Sequence, residues 1–177
     1  DLANSVEISE NRLTYTVSIH DKARFHDGKP VTADDVLFTI SKNVDPIIKS
    51  PKRGNWDGVA VEKINERTVS FTLKKAYTPF IYNLTTGILP KHIWKNASND
   101  EFSFSQFNTL PVGSGPFQVE RVERNDGGIP DYYKLTPFKD ATGKAPYINL
   151  VFQFYPSEVA LIEAYNDGAV DMVGGIT

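Results

Sequence analysis

The chain has 177 residues, with 19 Lys and Arg against 22 Asp and Glu, which gives a formal net charge of −3. A nearly balanced charge does not predict a nucleic-acid or anionic-membrane partner. The absence of cysteine excludes disulfides, thiolate metal sites and cysteine nucleophiles. No apolar run reaches the roughly 20 residues of a membrane-spanning helix, and no signal peptide is recognisable.

The first half of the chain predicts a strand, a helix, a β-hairpin and two short helical segments, at 13–19, 32–45, 59–73, 78 onward and 89–94. The strand and the hairpin follow from alternating apolar and polar residues, the pattern of a half-buried sheet. At the start of the helix, Thr32 supplies a capping side chain, while Asp34 and Asp35 complement the positive end of the helix dipole. The helix is expected to end near Asp45, because a residue that precedes proline disfavours the helical conformation.

The second half begins with residues 95–109, which are rich in Asn, Ser and Asp and are interpreted as a linker between two units. Further strands are expected at 116–122, 132–136, 148–155 and 170–173. The last two flank a helix that Ser157 caps and Gly168 ends. A strand–helix–strand ending is typical of a mixed unit, so the predicted fold class is α/β in the broad sense, a mixed α+β chain.

The sequence contains no evident catalytic or metal constellation. None of the three histidines has a partner at metal-ligand spacing, and His26 with Asp27 is interpreted as a turn and not as an acid/base pair. Asp34 and Asp35 are assigned to the helix dipole and not to a cation. Residues 113–116 (GSGP) lack the lysine of a phosphate loop and lead into a strand, so they predict a tight backbone crossing.

Five segments of the chain match, in order, segments shared by a known protein family. The most specific is 25–36 (FHDGKPVTADDV), which is similar to the signature F-x-D-G-x-P-V-T-A-x-D-V; the others are 69–77 (VSFTLKKAY), 88–94 (ILPKHIW), 111–117 (PVGSGPF) and 161–171 (LIEAYNDGAVD). Val6 departs from a common tryptophan and Ala76 from a frequent proline. On these motifs, essentially the whole chain resembles family 5 of the bacterial extracellular solute-binding proteins, which includes oligopeptide-, dipeptide- and nickel-binding proteins.

The resemblance implies a partial periplasmic-binding-protein type II-like fold, with mixed sheets and flanking helices. Residues 1–97 are expected to form the small extra domain of the family, and residues 98–177 the middle part of lobe I up to the hinge, with lobe II absent. The resemblance implies no enzyme, no cofactor and no metal. It implies instead the substrate-binding component of an ABC importer, which captures a solute by closure of two lobes and delivers it to permease subunits in the membrane.

A periplasmic or extracellular location follows from the same resemblance, with the protein free or held at the cell surface by a lipid anchor. The expected ligand is a peptide, because peptide transport is the commonest role in the family; a nickel chelate, a sugar and an opine-like amine stay open. A ligand-sensing module of a regulator is an alternative function, and an unrecognised hydrolase a less favoured one.

One aromatic residue and the hinge end of the chain supply the candidate ligand-binding residues, which are Trp56, Met172, Gly174, Gly175, Ile176 and Thr177. Gly174 and Gly175 either expose backbone N–H groups to a ligand or let the hinge bend. Trp56 either faces the cleft or packs on the hairpin of its own domain. Most of the groups that determine specificity are expected in the absent lobe.

Overall fold

Two antiparallel sheets organise the described part of the chain, for which the computed structural model covers residues 2–144 and 146–174. The first sheet has the strand order β1-β2-β4-β3; its strands are Ala3–Ile8, Thr14–Ile19, Ala60–Asn65 and Thr68–Thr72 for β1 to β4. The second has the order β5-β6-β7, with strands Phe117–Arg124, Pro130–Pro137 and Leu150–Gln153. The helices are α1 Ala33–Val44, α2 Lys91–Trp94 and α3 Glu158–Asn166.

The core of the first sheet lies between its β2–β4 face and helix α1. The predicted hairpin is confirmed, since β3 and β4 pair antiparallel with Val61 opposite Phe71. Tyr15 of β2 faces Phe71 across the β2–β4 pair, and its ring contacts Phe80, with 4.9 Å between the ring centroids. Buried aromatic rings in contact contribute apolar area and a preferred geometry, so these strands share one specific core.

Helix α1 begins and ends where the sequence predicts. Thr32 is the N-cap residue in extended conformation and Asp45 the C-cap residue. The capping interaction differs in detail from the expectation, because the Thr32 hydroxyl donates a hydrogen bond to the Asp35 carboxylate at 2.8 Å, and the Thr32 backbone N–H donates to the same oxygen at 2.9 Å. Asp35 therefore reaches back to fix the start of the helix, the reciprocal half of a capping box.

The segment interpreted as a linker is packed against the first unit, which comprises the first sheet with helices α1 and α2. It contains two short 3₁₀ turns, Phe102–Phe104 and Gln106–Asn108. Phe102 stacks on Trp94 with 4.3 Å between ring centroids, and Lys42 of α1 donates to the Asn99 side chain at 2.5 Å. The Asn-rich composition here thus serves side-chain hydrogen bonds and turns, as short polar side chains commonly do.

The second sheet and helix α3 leave much apolar surface uncovered among the described residues. The predicted start of α3 is confirmed, since the Ser157 hydroxyl accepts from the Ala160 N–H at 3.2 Å, and Gly168 ends the helix with a φ of 70°. No residue of α3 is buried, and β7 exposes large side chains too; the exposed apolar residues are Val151, Phe152, Phe154, Val159, Ile162 and Tyr165.

The strand predicted at 170–173 is wrong, because the backbone there has no strand conformation or ladder. A strand requires a hydrogen-bonded neighbour, and none pairs with this segment in the described part of the chain. The other strands and the mixed helix-and-strand fold class are confirmed. The division into 1–97 and 98–177 stays a prediction; the two sheets lie on either side of that boundary.

Candidate functional site

A cleft of about 970 Å³ lies where the first sheet meets the loops that precede the two outer strands of the second sheet, β5 and β7. Strand β1, helix α1 and the segment after the 3₁₀ turn Thr78–Thr85 form one side, and loops at 113–116 and 141–144 form the other. The principal lining residues are 2–6, 83–88, 113–116 and 141–144, together with Val17, Ile19, Val36, Ile40, Trp56 and Ile81. A concave, largely apolar space of this size is typical of small-molecule sites.

The lining carries few charges. Among the described residues that line the cleft, Lys144 is the one charged side chain, and there is no carboxylate or histidine. Hydroxyl and amide groups come from residues such as Asn4, Ser5 and Thr86, and the glycine-rich loop adds backbone groups. Without an acid/base pair, the described wall offers hydrogen bonds and apolar contact, which suit binding and not proton transfer.

The turn at 25–28 ties this cleft to the first unit through His26. The imidazole Nδ1 accepts a hydrogen bond from the Gly113 N–H at 3.1 Å, which leaves the proton on Nε2, 3.1 Å from the Gly115 carbonyl oxygen. The backbone N–H of His26 donates to the Gly113 carbonyl at 2.8 Å, and the ring packs edge-on against Phe138. Burial lowers the pKa of His26, although the Gly115 carbonyl and Asp27 oppose the shift.

The next residue, Asp27, binds a different segment. Its carboxylate lies 2.6 Å from Nε2 of His92 in α2, 65 residues away. Burial raises the pKa of Asp27, but the hydrogen bonds from His92 and from the Lys29 N–H together lower it. The sequence interpretation of this pair as a turn and not a catalytic dyad agrees with the structure, since the two side chains hold separate segments.

A third connection runs from helix α1. Asp35 is 5% exposed, and its second carboxylate oxygen accepts from the Lys91 N–H at 2.8 Å. One turn along the helix, the Thr39 hydroxyl accepts from the Leu89 N–H at 2.9 Å. The signature 25–36 is therefore the structural connector that fixes both 88–94 and 111–117, and the dipole role assigned to Asp35 is only part of its function.

Gly113→Ala is expected to lower the free energy of unfolding by about 1–2 kcal/mol, because an added Cβ would lie 3.3 Å from Cε1 of His26, a ring held at both nitrogens. Gly115→Ala is the matched control, since an added Cβ there meets nothing within 4 Å; a change within about 0.5 kcal/mol is expected. Urea unfolding measures both, and equal losses in the two variants would contradict the assigned contact.

The structure places the candidate ligand residues in different settings. Trp56 lines the cleft but is 2% exposed and packs against Phe71 and Phe80 in the core of the first sheet. Met172 is 84% exposed and Gly174 is exposed, and neither lines the cleft described above. Gly175, Ile176 and Thr177 lie outside the described residues. The structure does not bring Trp56 and the described hinge residues together in one site.

Most of the cleft wall was not predicted from the sequence. The stretches 2–6 and 83–88 and the loop 141–144 contribute to it, yet none carries a charged or aromatic pattern that would single it out. The glycine-rich loop 113–116 was predicted as a tight crossing, and its close approach to His26 confirms a packed backbone there. Its position in the cleft was missed, because the loop lies 87 residues from its partner in the sequence.

A metal centre is not formed by the described residues, in which no three His, Cys, Asp or Glu side chains group together. Likewise, no helix among them combines the length and the apolar character needed to cross a bilayer. His26 and His92 are both engaged in the contacts described above.

Comparison with known proteins identifies the family. Residues 1–177 match the model of the bacterial extracellular solute-binding proteins, family 5 Middle. The chain belongs to this family. The expected resemblance is therefore confirmed, and the family consists of binding proteins and not of enzymes, as predicted. Its description as extracellular agrees with the coarse location expected from the sequence.

Relatives in family 5 are about one-third identical to this chain over the aligned region. The peptidoglycan-binding protein YepA of Agrobacterium fabrum is 35% identical over 97% of this chain and 28% of its own length. The oligopeptide-binding protein AppA of Bacillus subtilis, solved with a nonapeptide, has a TM-score of 0.83 at 32% identity over 96% of this chain and 34% of its own. NikZ of Campylobacter jejuni, solved with Ni(L-His), has a TM-score of 0.82 at 29% identity over 97% of this chain and 34% of its own.

The chain thus spans about a third or less of the length of these relatives. The similarity to solved structures confirms the fold class, with the further finding that both described sheets are antiparallel. The ligands named for the relatives differ, so membership of the family does not determine the ligand of this chain.

Proposed function

We propose that this chain is part of the substrate-binding component of an ABC importer, which captures a solute and delivers it to permease subunits in the membrane. The observation that carries the proposal is the cleft between the first unit and the loops of the second, lined by hydrogen-bonding and apolar groups without an acid/base pair among the described residues. Family membership over residues 1–177 supports it.

In the proposed mechanism, a solute bridges two lobes and shifts the population toward the closed form that the permease recognises. Residues 1–97 act as the small extra domain and residues 98–177 as the middle part of lobe I, while lobe II belongs to a longer polypeptide. Trp56, Met172 and Gly174 are proposed to contact the solute when the lobes close, together with the hinge residues Gly175, Ile176 and Thr177.

The uncovered face of β7 and α3 supports a longer, two-lobed protein. Phe152 and Phe154 are each 53% exposed, and Val159 is 66% exposed. Large apolar side chains left exposed in such number usually mark a contact with another part of a protein or with a partner. We assign it to packing against the rest of the two-lobed protein, which accords with the greater length of the relatives.

A peptide is the proposed solute, and the proposed location is periplasmic or extracellular, free or lipid-anchored at the cell surface. The amide side chains of Asn4 and Asn83 and the backbone of the loop 113–116 add hydrogen-bonding groups to the apolar lining, which supports a peptide, because peptide backbones are recognised by main-chain hydrogen bonds. The oligopeptide-binding relative AppA, which holds a nonapeptide, supports the same class. The described wall has no carboxylate or histidine, which gives a metal chelate less support.

The isolated 177-residue chain is expected to bind peptides weakly, with dissociation constants at or above about 1 mM, because most specificity groups belong to the other lobe. The complete gene product is expected to bind at least one peptide in the micromolar range or tighter. Calorimetry on both, after mass spectrometry of solutes that co-purify with the complete protein, measures this. Micromolar binding to the isolated chain, or no peptide ligand of the complete protein, would contradict the proposal.

A further inference from the structure

Trp56, which lines the cleft, carries an unpaired hydrogen-bond donor. Its indole Nε1 is buried and has no acceptor among the described residues. The residue as a whole is 2% exposed and lines the cleft. A buried N–H without an acceptor is rare in folded proteins and disfavours the state that contains it. Such a donor is a candidate to receive an acceptor atom from a bound solute.

Packing holds the indole ring in position. Its ring lies 5.8 Å from both Phe71 and Phe80 by centroid distance, tilted to the first and edge-on to the second. The 3₁₀ turn Arg53–Trp56, which ends at this residue, packs against α1. A ring fixed in this way presents its N–H in one direction, which costs little conformational entropy when a ligand binds.

The cleft that Trp56 lines also has an aliphatic part. Ile81, Leu84 and Ile88 line the same space, together with Val17 and Ile19 of β2. These side chains favour an apolar group of a ligand, since burial against them removes apolar surface from water.

The charge of the cleft wall disfavours a cationic group of a ligand. Among the described lining residues there is no carboxylate to accept a lysine or arginine side chain, and Lys144 is the one charged residue. A cationic group placed here would lose hydration without a counter-charge, which is strongly unfavourable. A neutral apolar side chain suffers no such loss.

We propose that this part of the cleft binds a neutral, apolar side chain of the captured peptide, and that a carbonyl oxygen of the same peptide accepts a hydrogen bond from Nε1–H of Trp56. The inference rests on the proposed function and names its ligand class. It makes Trp56 a ligand-binding residue through one atom, in addition to its place in the core.

The test uses the complete gene product and a set of peptides that differ by Leu, Lys or Glu at single positions. At one position, Leu peptides are expected to bind at least tenfold more tightly than Lys peptides. Trp56→Phe keeps the apolar ring and removes the N–H, so it is expected to weaken binding of the Leu peptide by about 3- to 10-fold. Trp94→Phe is the matched control, because Trp94 packs on Phe102 and Phe107 and does not line the cleft.

NMR of the indole N–H gives a readout that a purely structural role would not move. Ligand addition is expected to shift the Nε1–H resonance of Trp56, assigned as the signal that Trp56→Phe removes, in the direction of a stronger hydrogen bond. Peptides that bind with no such shift, or with equal affinity in Trp56→Phe, would overturn the inference and leave the proposed function standing. A preference for Lys or Glu at every position would overturn it too. Failure of all peptides to bind would overturn both.

Discussion

Asp35→Ala is expected to lower the free energy of unfolding by about 4 kcal/mol, the largest effect of any single substitution considered. The side chain is 5% exposed and accepts three hydrogen bonds, from the N–H and hydroxyl of Thr32 and from the Lys91 N–H. Hydrogen bonds to a charged group are worth about 1.5–3 kcal/mol each, and donors left unpaired in a buried position add to the loss. The free energy of unfolding of a typical domain is only about 5–15 kcal/mol in total.

Two further variants show whether the loss is specific to the Asp35 carboxylate. Asp35→Asn keeps the shape and one acceptor oxygen, so about half of the loss is expected. Asp34→Ala is the neighbouring control; its carboxylate is 44% exposed and pairs with Lys63 at the surface, and only a small change is expected. Urea unfolding followed by tryptophan fluorescence reports on the unit that contains Trp56 and Trp94. Equal losses from Asp34→Ala and Asp35→Ala would contradict the assigned role.

The second large effect is a pH dependence that His26 introduces. The free energy of unfolding is expected to fall as the pH drops from about 7.5 to 5.5, and His26→Gln is expected to remove that part of the slope. The substitution itself is expected to cost about 1–2 kcal/mol at pH 7.5, because the two side-chain hydrogen bonds to Gly113 and Gly115 are lost or weakened.

The sign follows from the direction of the pKa shift. Burial first of all lowers the pKa of His26 in the folded state below its ordinary value of 6.5. At a pH between the pKa of His26 in the folded chain and its pKa in the unfolded chain, the unfolded chain binds more protons, so the free energy of unfolding rises with pH there. The contribution of His26 to the free energy of unfolding is fully present above pH 6.5. It is lost as the pH falls through the lower pKa that His26 has in the folded state. Protonation of Nδ1 also removes the acceptor for the Gly113 N–H.

The groups around His26 limit what else could produce this slope. Asp27 faces the ring from the same turn and favours the protonated form, while the groups that the second unit brings to the ring are Gly113, Gly115 and Phe138. His20→Gln serves as the control, because it removes a titratable ring without touching these contacts, and the slope is expected to persist. An unchanged slope in His26→Gln, measured by unfolding at several pH values, would contradict the assignment.

Local signals in the sequence predicted the helices and most strands well. Helix α1 was bounded by Thr32 and Asp45 because capping residues and a following proline act within a few residues. The hairpin β3–β4 followed from alternation around a short turn. Ser157 and Gly168 bounded α3 for the same local reasons.

Features that depend on long-range pairing were missed. Strand β1, Ala3–Ile8, is exposed along its whole length, so its side chains show no alternation of burial. Backbone hydrogen bonds to β2 hold it in the sheet. The converse error occurred at 170–173, where an alternating pattern has no neighbouring strand among the described residues. An alternating sequence pattern indicates which side chains are buried, but it does not indicate which strand the backbone pairs with.

The candidate site was the least predictable feature. The family resemblance located the motifs but did not reveal that Asp27, His26 and Asp35 connect them to one another. The cleft is assembled from backbone-rich segments far apart in sequence, for which composition gives no signal. Trp56 was singled out by residue type alone, and its unpaired N–H required coordinates.

The turn at 25–28 also constrains the length of the chain at that place. His26 and Asp27 are adjacent, yet one anchors the glycine loop and the other anchors α2. Surface loops usually tolerate extra residues well. Here an inserted residue would move one anchor away from its target whatever its chemical nature, so this turn admits exchange of its outward side chains far more readily than a change in spacing.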